Sequence, residues 1–431
     1  MERVLISEVA NHLGNSVKIA GWVHNVRILK GLIFVIIRDI SGQIQVVVEE
    51  SNQEVFSVVN GLNLESILSV EGTVQEKPSK SGNKEYELLA IKAEVLSLAA
   101  EQMPIPVMQK IDNEADVESR FNWRWLDLRK PEHQMIFKVW TELEKGFRQA
   151  LSDNHFIQLY TPTFMSTASE TGSEVFAVKY FDREVYLAQS PQFYKQMAMA
   201  SGLERVFAVG PVYRAEKSFT NRHCTEFTGW DFEMSYIDSE NDVMEMEEKM
   251  LVAGFEHVNK ALNLDLQVPT MPFPRISMKE AKEKLAKAGI KSEQDDDFGS
   301  EEEQAFGRLM KEETGHDFVF VTDYPITARP FYHMRKEENQ NITKSFDLLY
   351  KGIEITTGSQ REHRPDVLAK QAEDKGMNLS ELEDYLNFFR YGCPPHGGAG
   401  IGPGRIIMKI MDLPNIREAV FLPRDVKRVR P

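Results

Sequence analysis

Five runs with strand character fall between residues 16 and 97, and they leave that part of the chain little choice but a small β domain. Residues 17–27 alternate apolar and polar side chains, 32–38 are apolar, and 43–48 begin by alternating again. Ser41-Gly42 is a turn signal between two of these runs. Residues 67–74 and 86–95 supply the remaining two, separated by the polar, turn-rich segment 76–83. Alternation at a period of two places one apolar face on each strand, and those faces need a shared core.

Five short strands in about 80 residues predict a small barrel such as an OB-fold, with a two-sheet sandwich as the alternative. Residues 99–131 read as a connector. Met103-Pro104-Ile105-Pro106 disfavours helix, and a polar stretch of mixed charge follows. From about residue 132 the character changes. Ile136, Val139, Trp140, Leu143, Phe147 and Leu151 have helical spacing over 133–153. Strands and helices then mix to the end, so the chain as a whole reads as α+β, divided at 1–100, 101–131 and 132–431. Residues 291–304, KSEQDDDFGSEEEQ, hold no apolar side chain except Phe298 and read as a solvated surface insertion.

Composition narrows the function classes. A chain of 431 residues can bury a substantial core in two or three domains. Its net charge of −15 argues against a general polyanion binder, so nucleic acid would have to meet local basic patches. Only Cys224 and Cys393 are present, too few for a disulfide framework or a cysteine zinc site, and they fit a reducing cytosol. No run of about 18 apolar residues exists to span a membrane. The opening MERVLISEVANHLG lacks a basic segment followed by an apolar run, so a secretory signal is not expected. These features predict a cytoplasmic protein.

No serine hydrolase elbow, Walker A loop, HExxH or CxxC is present. Three other segments carry chemistry. In the first, Gly210-Pro211-Val212-Tyr213-Arg214-Ala215-Glu216 is followed by Asn221-Arg222-His223 and then by residues 226–233 (EFTGWDFE). Two antiparallel strands would bring Arg214 and the loop residue Arg222 to one anionic ligand. In the second, Asp347 and Glu354 would lie on successive strands, where two carboxylates can hold a hard divalent cation bound to phosphate. In the third, His396 to Arg405 holds five glycines, which allow backbone to approach a ligand closely. Each is weak alone; their joint order is specific.

In that order the segments resemble class II aminoacyl-tRNA synthetases of the aspartyl type, in the archaeal-like form without a large insertion, over essentially the whole chain. Residues 156–164 (FIQLYTPTF) resemble class II motif 1, with Pro162 at the dimer interface. Arg214 to Glu233 resembles motif 2, and residues 400–405 resemble motif 3. Arg124-Trp125-Leu126-Asp127-Leu128-Arg129 resembles the family's R-x-L-D-L-R hinge. The implied fold is an N-terminal five-stranded OB barrel that binds the anticodon (1–100), a hinge (101–131), and a catalytic domain on an antiparallel sheet flanked by helices (132–431). Homodimers are implied too.

The resemblance implies activation of L-aspartate with ATP and Mg2+, then transfer to tRNA. The site must hold two anions together and offset charge building on phosphorus, which is positioning plus electrostatics. It implies that Arg214 contacts the α-phosphate and the substrate carboxylate and that Glu216 faces the adenine amino group. Arg222 and His223 would reach the outer phosphates, and Arg405 would clamp the γ end. Ala215, Cys224, Gly402, Pro403 and Gly404 complete the implied ATP contacts. Asp347, Glu354 and Thr357 would hold the metal. Motif 3 usually has an acidic residue before its arginine; here Gly404 stands there, after Pro403.

Residues 189–195 (QSPQFYK) resemble the aspartyl enzymes' QSPQ-x-x-K. Lys195 and Arg361 are therefore the implied readers of the side-chain carboxylate, because an asparagine amide would leave two cations unpaired. Gln192, Asp231 and Glu170 would orient the α-amino group, with Thr357 beside the substrate and Glu170 on a loop that could close. On the barrel, Phe34 is the stacking candidate for an anticodon base, with Arg27 and Gln45 as polar readers. Family members that charge both tRNA(Asp) and tRNA(Asn) tend to carry histidine after Gly-Trp-Val and a proline before the last strand. His24 and Pro78 stand at those positions, so a non-discriminating enzyme is expected, together with an amidotransferase that converts Asp-tRNA(Asn). The alternatives are an asparaginyl enzyme of the same architecture and a non-catalytic RNA-binding paralogue. A lysyl enzyme is disfavoured because two cations would repel lysine.

Overall fold

The computed structural model describes residues 1–77, 85–107, 114–167, 175–217, 219–292, 294 and 296–431. These form two compact units, Met1–His133 and Gln134–Pro431.

In the first unit, β1 (Ser16–Leu29), β2 (Leu32–Asp39), β3 (Gly42–Glu49), β4 (Ile67–Lys77) and β5 (Glu85–Ser97) close into a barrel in the order β1-β2-β3-β5-β4. Closure excludes the sandwich. The period of two is preserved: Ile33, Val35 and Ile37 are fully buried inside, whereas Phe34 and Ile36 are only partly covered. All five expected runs are strands. Helix α1 (Gln53–Val59), between β3 and β4, was not expected, because seven residues are too few to show a helical period. Its available signal was the cap: Asn52 Oδ1 accepts the Val55 N–H at 3.3 Å. The predicted connector contains α2 (Val117–Asn122) and α3 (Arg124–Asp127). Asp127 is fully buried there and receives Arg124 Nη1 at 2.8 Å. Burial opposes its charge, but His133, Arg120 and Arg124 together hold its carboxyl down at about 2.

From α4 (Pro131–Asp153) onward the elements are β6 (Ile157–Leu159), β7 (Phe164–Met165), β8 (Ala177–Tyr180), β9 (Arg183–Leu187), α5 (Gln192–Ala200), β10 (Arg205–Tyr213), β11 (Glu226–Ser235) and α6 (Glu240–Leu262). Then follow β12 (Arg275–Ser277), α7 (Met278–Lys287), α8 (Ser300–Thr314), β13 (Phe318–Thr322), β14 (Ser345–Tyr350), β15 (Ile353–Gln360), α9 (Pro365–Asp374), α10 (Glu383–Arg390), β16 (His396–Ile401), α11 (Pro403–Ile410) and α12 (Ile416–Ala419). Eight strands form one sheet in the order β12-β13-β14-β15-β16-β11-β10-β6, antiparallel except for the two pairs at its edges. β7, β9 and β8 form a separate small sheet.

Along β11, Trp230 and Phe232 enter the main core while Asp231 and Glu233 point the other way; that alternation puts hydrophobic packing behind the sheet and charge in front. Met246, Met250 and Phe255 of α6 share that core with Phe232, Phe318 and Phe346. Helices α4 and α6 meet at glycines: a Cβ on Gly146 would stand 2.7 Å from the Ala253 carbonyl oxygen, so no side chain fits there.

Residues 396–401 of the glycine-rich segment form the inner strand β16, paired with both β11 and β15. One expectation is corrected: the acidic segment is not wholly solvated. Phe298, Glu302 and Glu303 are buried, and α8 starts at Ser300 within the segment. Counting charges cannot show this, because each carboxylate has a cation supplied from elsewhere, Lys282 for Glu302 and Arg222 for Glu303.

Glu247 on α6 lies behind β15, fully buried, 2.5 Å from the Thr356 hydroxyl. Its Oε2 has no partner among the described residues. Burial raises its carboxyl from the ordinary 4.5 to about 8. The folded chain therefore keeps a proton that the unfolded chain releases, so this group costs stability increasingly as pH rises from about 4.5 to about 8. Glu247→Gln is expected to stabilise the protein by a few kcal/mol at pH 8 and by under about 1 kcal/mol at pH 5. Thermal melts of both proteins at the two pH values check this; an equal shift at both would contradict it.

Candidate active site

A cavity of about 320 Å3 opens on the polar side of the large sheet. Its lining comes from β11, β15 and β16, from the segment after β10, and from the start of α11.

One end gathers buried charges of both signs. Glu233 is fully buried and joins two cations: Arg361 Nε at 2.9 Å and Lys195 Nζ at 3.4 Å. Burial alone would raise the Glu233 carboxyl, but Arg361 and then Lys195 hold it below its ordinary value. Arg361 is fixed further by the Ser359 hydroxyl at 2.8 Å and the Gly398 carbonyl at 2.9 Å. Lys195 donates to Asp231 Oδ2 at 2.7 Å. Glycine is required beneath this group, since a Cβ on Gly398 would sit 2.3 Å from Glu233 Oε2. Four charges cancel within this group: Lys195 and Arg361 against Asp231 and Glu233. A ligand ammonium that takes Asp231 leaves one positive unit for a ligand carboxylate. Gln192 lines the cavity, and its buried Nε2 has no partner among the described residues, so it remains available as a donor.

The other end is rich in arginine, each one paired. Arg214 Nη1 lies 3.9 Å from Glu216, Arg329 Nη2 lies 2.7 Å from Asp347, and Arg405 Nη1 lies 3.5 Å from Glu354 and donates to the Glu354 carbonyl at 2.7 Å. Arg222 binds Glu303. Burial, then the charges of Arg405 and Arg222, pushes His223 down to about 4, so it is neutral at pH 7. Such a surface matches a polyanion whose phosphates could displace the resident carboxylates.

Thr357 Oγ1 donates to Asp347 at 2.8 Å and to Glu354 at 3.3 Å, which brings the two strand carboxylates together. Burial raises Asp347 to about 6, against the pull of Arg329 and aided by the Glu354 charge. Two carboxylates and a hydroxyl are hard oxygen donors and suit magnesium, which keeps several waters. No group of three or more His, Cys, Asp or Glu suited to a metal occurs among the described residues. The donor set therefore fits an ion shared with substrate phosphates rather than enclosed by protein.

Of the expected site residues, Gln192, Arg214, Glu216, Arg222, His223, Cys224, Asp231, Glu354, Thr357, Arg361, Gly402, Gly404 and Arg405 line this one cavity. Lys195 does not line it; its ammonium stands behind the Asp231 carboxylate. Asp347 likewise acts through Thr357 and Arg329, and Ala215 and Pro403 lie outside the lining. Pro403 is the first residue of α11, and Gly404 is packed close to Ile416, with 3.3 Å to an added Cβ. Glu170 lies outside the described residues, as does Pro78. Glu233, His333, Arg329 and Glu303 were missed. Glu233 sat in a segment already singled out; Arg329 and His333 sit in an ARPFYH stretch with no local signature.

On the barrel, Phe34 is half-buried on the outward face, opposite exposed Arg27 in register. Gln45 donates to Glu87 at 2.7 Å. His24 falls where the β1–β2 register slips, at a bulge, and burial followed by Arg38 keeps its ring below the ordinary histidine value. Pro162 is exposed between β6 and β7, with exposed Tyr160 and Phe164 two residues to either side.

Comparison with known proteins matches the chain in two parts. The family described as tRNA synthetases class II (D, K and N) matches residues 116–426, and the OB-fold nucleic acid binding domain matches residues 17–96. An aspartate–tRNA(Asp) ligase of Pyrococcus abyssi is 40% identical over 99% of this chain and 98% of its own length. An aspartate–tRNA(Asp/Asn) ligase of Aeropyrum pernix is 41% identical with the same coverage. The solved asparaginyl-tRNA synthetase of Pyrococcus horikoshii, complexed with asparaginyl-adenylate, superposes with a TM-score of 0.91 at 31% identity over 100% of both chains.

Proposed function

The chain belongs to the class II aminoacyl-tRNA synthetases, ligases that form aminoacyl-tRNA, and on that premise we propose that it charges tRNA(Asp), and also tRNA(Asn), with L-aspartate. In the reaction, the aspartate α-carboxylate attacks the α-phosphorus of ATP. Aspartyl-adenylate forms and pyrophosphate leaves. A hydroxyl of the tRNA's terminal adenosine then takes the aspartyl group and AMP leaves.

The observation that carries the amino-acid assignment is the Lys195–Glu233–Arg361 group with Asp231 in front of it. Once the substrate ammonium engages Asp231, one net positive charge faces the side chain. An aspartate carboxylate neutralises it; an asparagine amide leaves it buried and unpaired. Arg214 would bridge the reacting carboxylate and the α-phosphate. Arg222, His223 and Arg405 would receive the outer phosphates, with His223 as a neutral donor. Asp347, Glu354 and Thr357 would hold magnesium, which supplies charge neutralisation to the phosphates when bound. Glu170 and Pro78 keep their proposed roles in closing over substrate and in shaping the anticodon pocket.

Phe34, Arg27 and Gln45 would receive the anticodon, and the exposed aromatic group around Pro162 would be covered in a homodimer. His24 in its bulge supports acceptance of either pyrimidine at the last anticodon base, because a tryptophan there would fill more space. That implies a companion amidotransferase acting on Asp-tRNA(Asn). No helix among the described residues is long and apolar enough to cross a membrane, and a cytoplasmic site is part of the proposal.

Amino-acid-dependent pyrophosphate exchange, followed by charging of purified tRNA(Asp) and tRNA(Asn) separately, is the test. Exchange with aspartate and charging of both tRNAs are expected. Exchange with asparagine alone would reverse the substrate assignment, and charging of tRNA(Asp) alone would remove the dual specificity.

A further inference from the structure

Three of the four arginines at the phosphate end are held by carboxylates with an alternative. Asp347 and Glu354, on Arg329 and Arg405, meet at Thr357, where a cation accompanying ATP would take up their charge. Glu216, on Arg214, has a side chain 27% exposed, so water screens it. Glu303 has neither. It lies in the first turn of α8, its side chain is 6% exposed, and it accepts the Glu354 N–H at 3.3 Å. Its carboxylate binds Arg222, whose own side chain is 15% exposed and whose Nε has no partner among the described residues.

We propose that Glu303 is a latch on Arg222 that sets the affinity for ATP by competing with the outer phosphates for one guanidinium. The inference rests on the reading of this cavity as an ATP site. A guanidinium has donors to spare but one positive charge, so a buried carboxylate and a phosphate drawn to it divide that charge between them. When ATP takes Arg222, Glu303 is left buried with no cation of its own, and a carboxylate so desolvated is costly. ATP binding has to meet that cost. Glu303 is thus a positioning residue, supplied by the segment whose composition pointed to a solvated surface.

The test is MgATP binding to the full chain by calorimetry, without amino acid, for the unmodified protein, E303Q, R222A and R222A/E303Q. E303Q should bind MgATP about tenfold more tightly than the unmodified protein. In the R222A background the same change should have almost no effect, since no guanidinium is left to release. Weaker binding by E303Q, or an equal shift in both backgrounds, would overturn the latch and leave a purely structural ion pair. Hydrogen exchange of the unmodified protein gives a reading independent of any variant's folding. Saturating MgATP should speed amide exchange in the first turn of α8; unchanged or slower exchange there would overturn the proposal. If the unmodified protein binds no MgATP, the functional reading falls and the latch with it. If it binds MgATP but the two substitutions act additively, only the latch falls.

Discussion

Arg361→Leu should lower aspartate-dependent pyrophosphate exchange by about a hundred- to a thousandfold, because losing one partner of a buried charge pair made with a ligand costs about 3–4 kcal/mol of binding. The guanidinium makes bonds of 2.9 Å to Glu233, 2.8 Å to Ser359 and 2.9 Å to the Gly398 carbonyl. Without it, Glu233 keeps only the Lys195 ammonium at 3.4 Å, and the net positive charge that would receive the aspartate side chain disappears. The loss should fall on kcat/KM for aspartate, while MgATP binding, proposed for the far end of the cavity, should stay within about threefold of the unmodified protein. Arg361→Lys should recover only part of the activity, since an ammonium cannot reproduce the fork that spans Glu233, Ser359 and Gly398. Exchange within tenfold of the unmodified enzyme for Arg361→Leu, with a normal melting profile, would show that the amino-acid pocket has been misplaced.

Arg214→Ala should reduce adenylate formation by about a thousandfold while leaving tRNA binding largely intact. Arg214 follows β10 directly, and its backbone N–H donates to the Thr225 carbonyl at 2.9 Å, so the hairpin places it by register. Its guanidinium, itself exposed, lies 5.6 Å from the Phe227 ring centre and 3.9 Å from the partly exposed Glu216, so little holds it away from an incoming anion. The barrel, with its own core, carries none of this. Single-turnover adenylate formation and filter binding of tRNA separate the two effects. Activity that survived the substitution would mean that some other cation offsets the charge on the phosphorus.

Much of this fold was readable because its signals are local. The period of two in 17–27 and 32–38 marks β1 and β2, since alternate side chains of a strand must face one core. The spacing of Ile136, Val139, Leu143 and Phe147 marks α4 for the matching helical reason. Helix α1 escaped because seven residues span about two turns, too few to separate a helix from a strand. The glycines of β16 give no strand signal, because glycine is depleted in strands and usually marks a turn. Here they are absent side chains: Asp231 and Glu233 of the neighbouring strand occupy the space.

The site divides along the same line. Arg214, Arg222, Asp347, Glu354, Arg361 and Arg405 were named from short ordered segments, and the order of residues is a property of the chain alone. What the chain could not reveal is who answers whom. Arg361 meets Glu233 across 128 positions and Arg222 meets Glu303 across 81, and pairs so distant leave no periodic trace in either segment. Whether a carboxylate is a wet surface group or a buried partner depends on the cation that folding brings to it and on the water that folding removes. Sequence therefore determined the strands, the long helices and the charged residues available for chemistry. Tertiary structure alone decided that Lys195 stands behind Asp231, that Asp347 and Glu354 meet through Thr357, and that an acidic stretch reaches inward to hold an arginine, because charge strength and solvation depend on distance in space rather than along the chain.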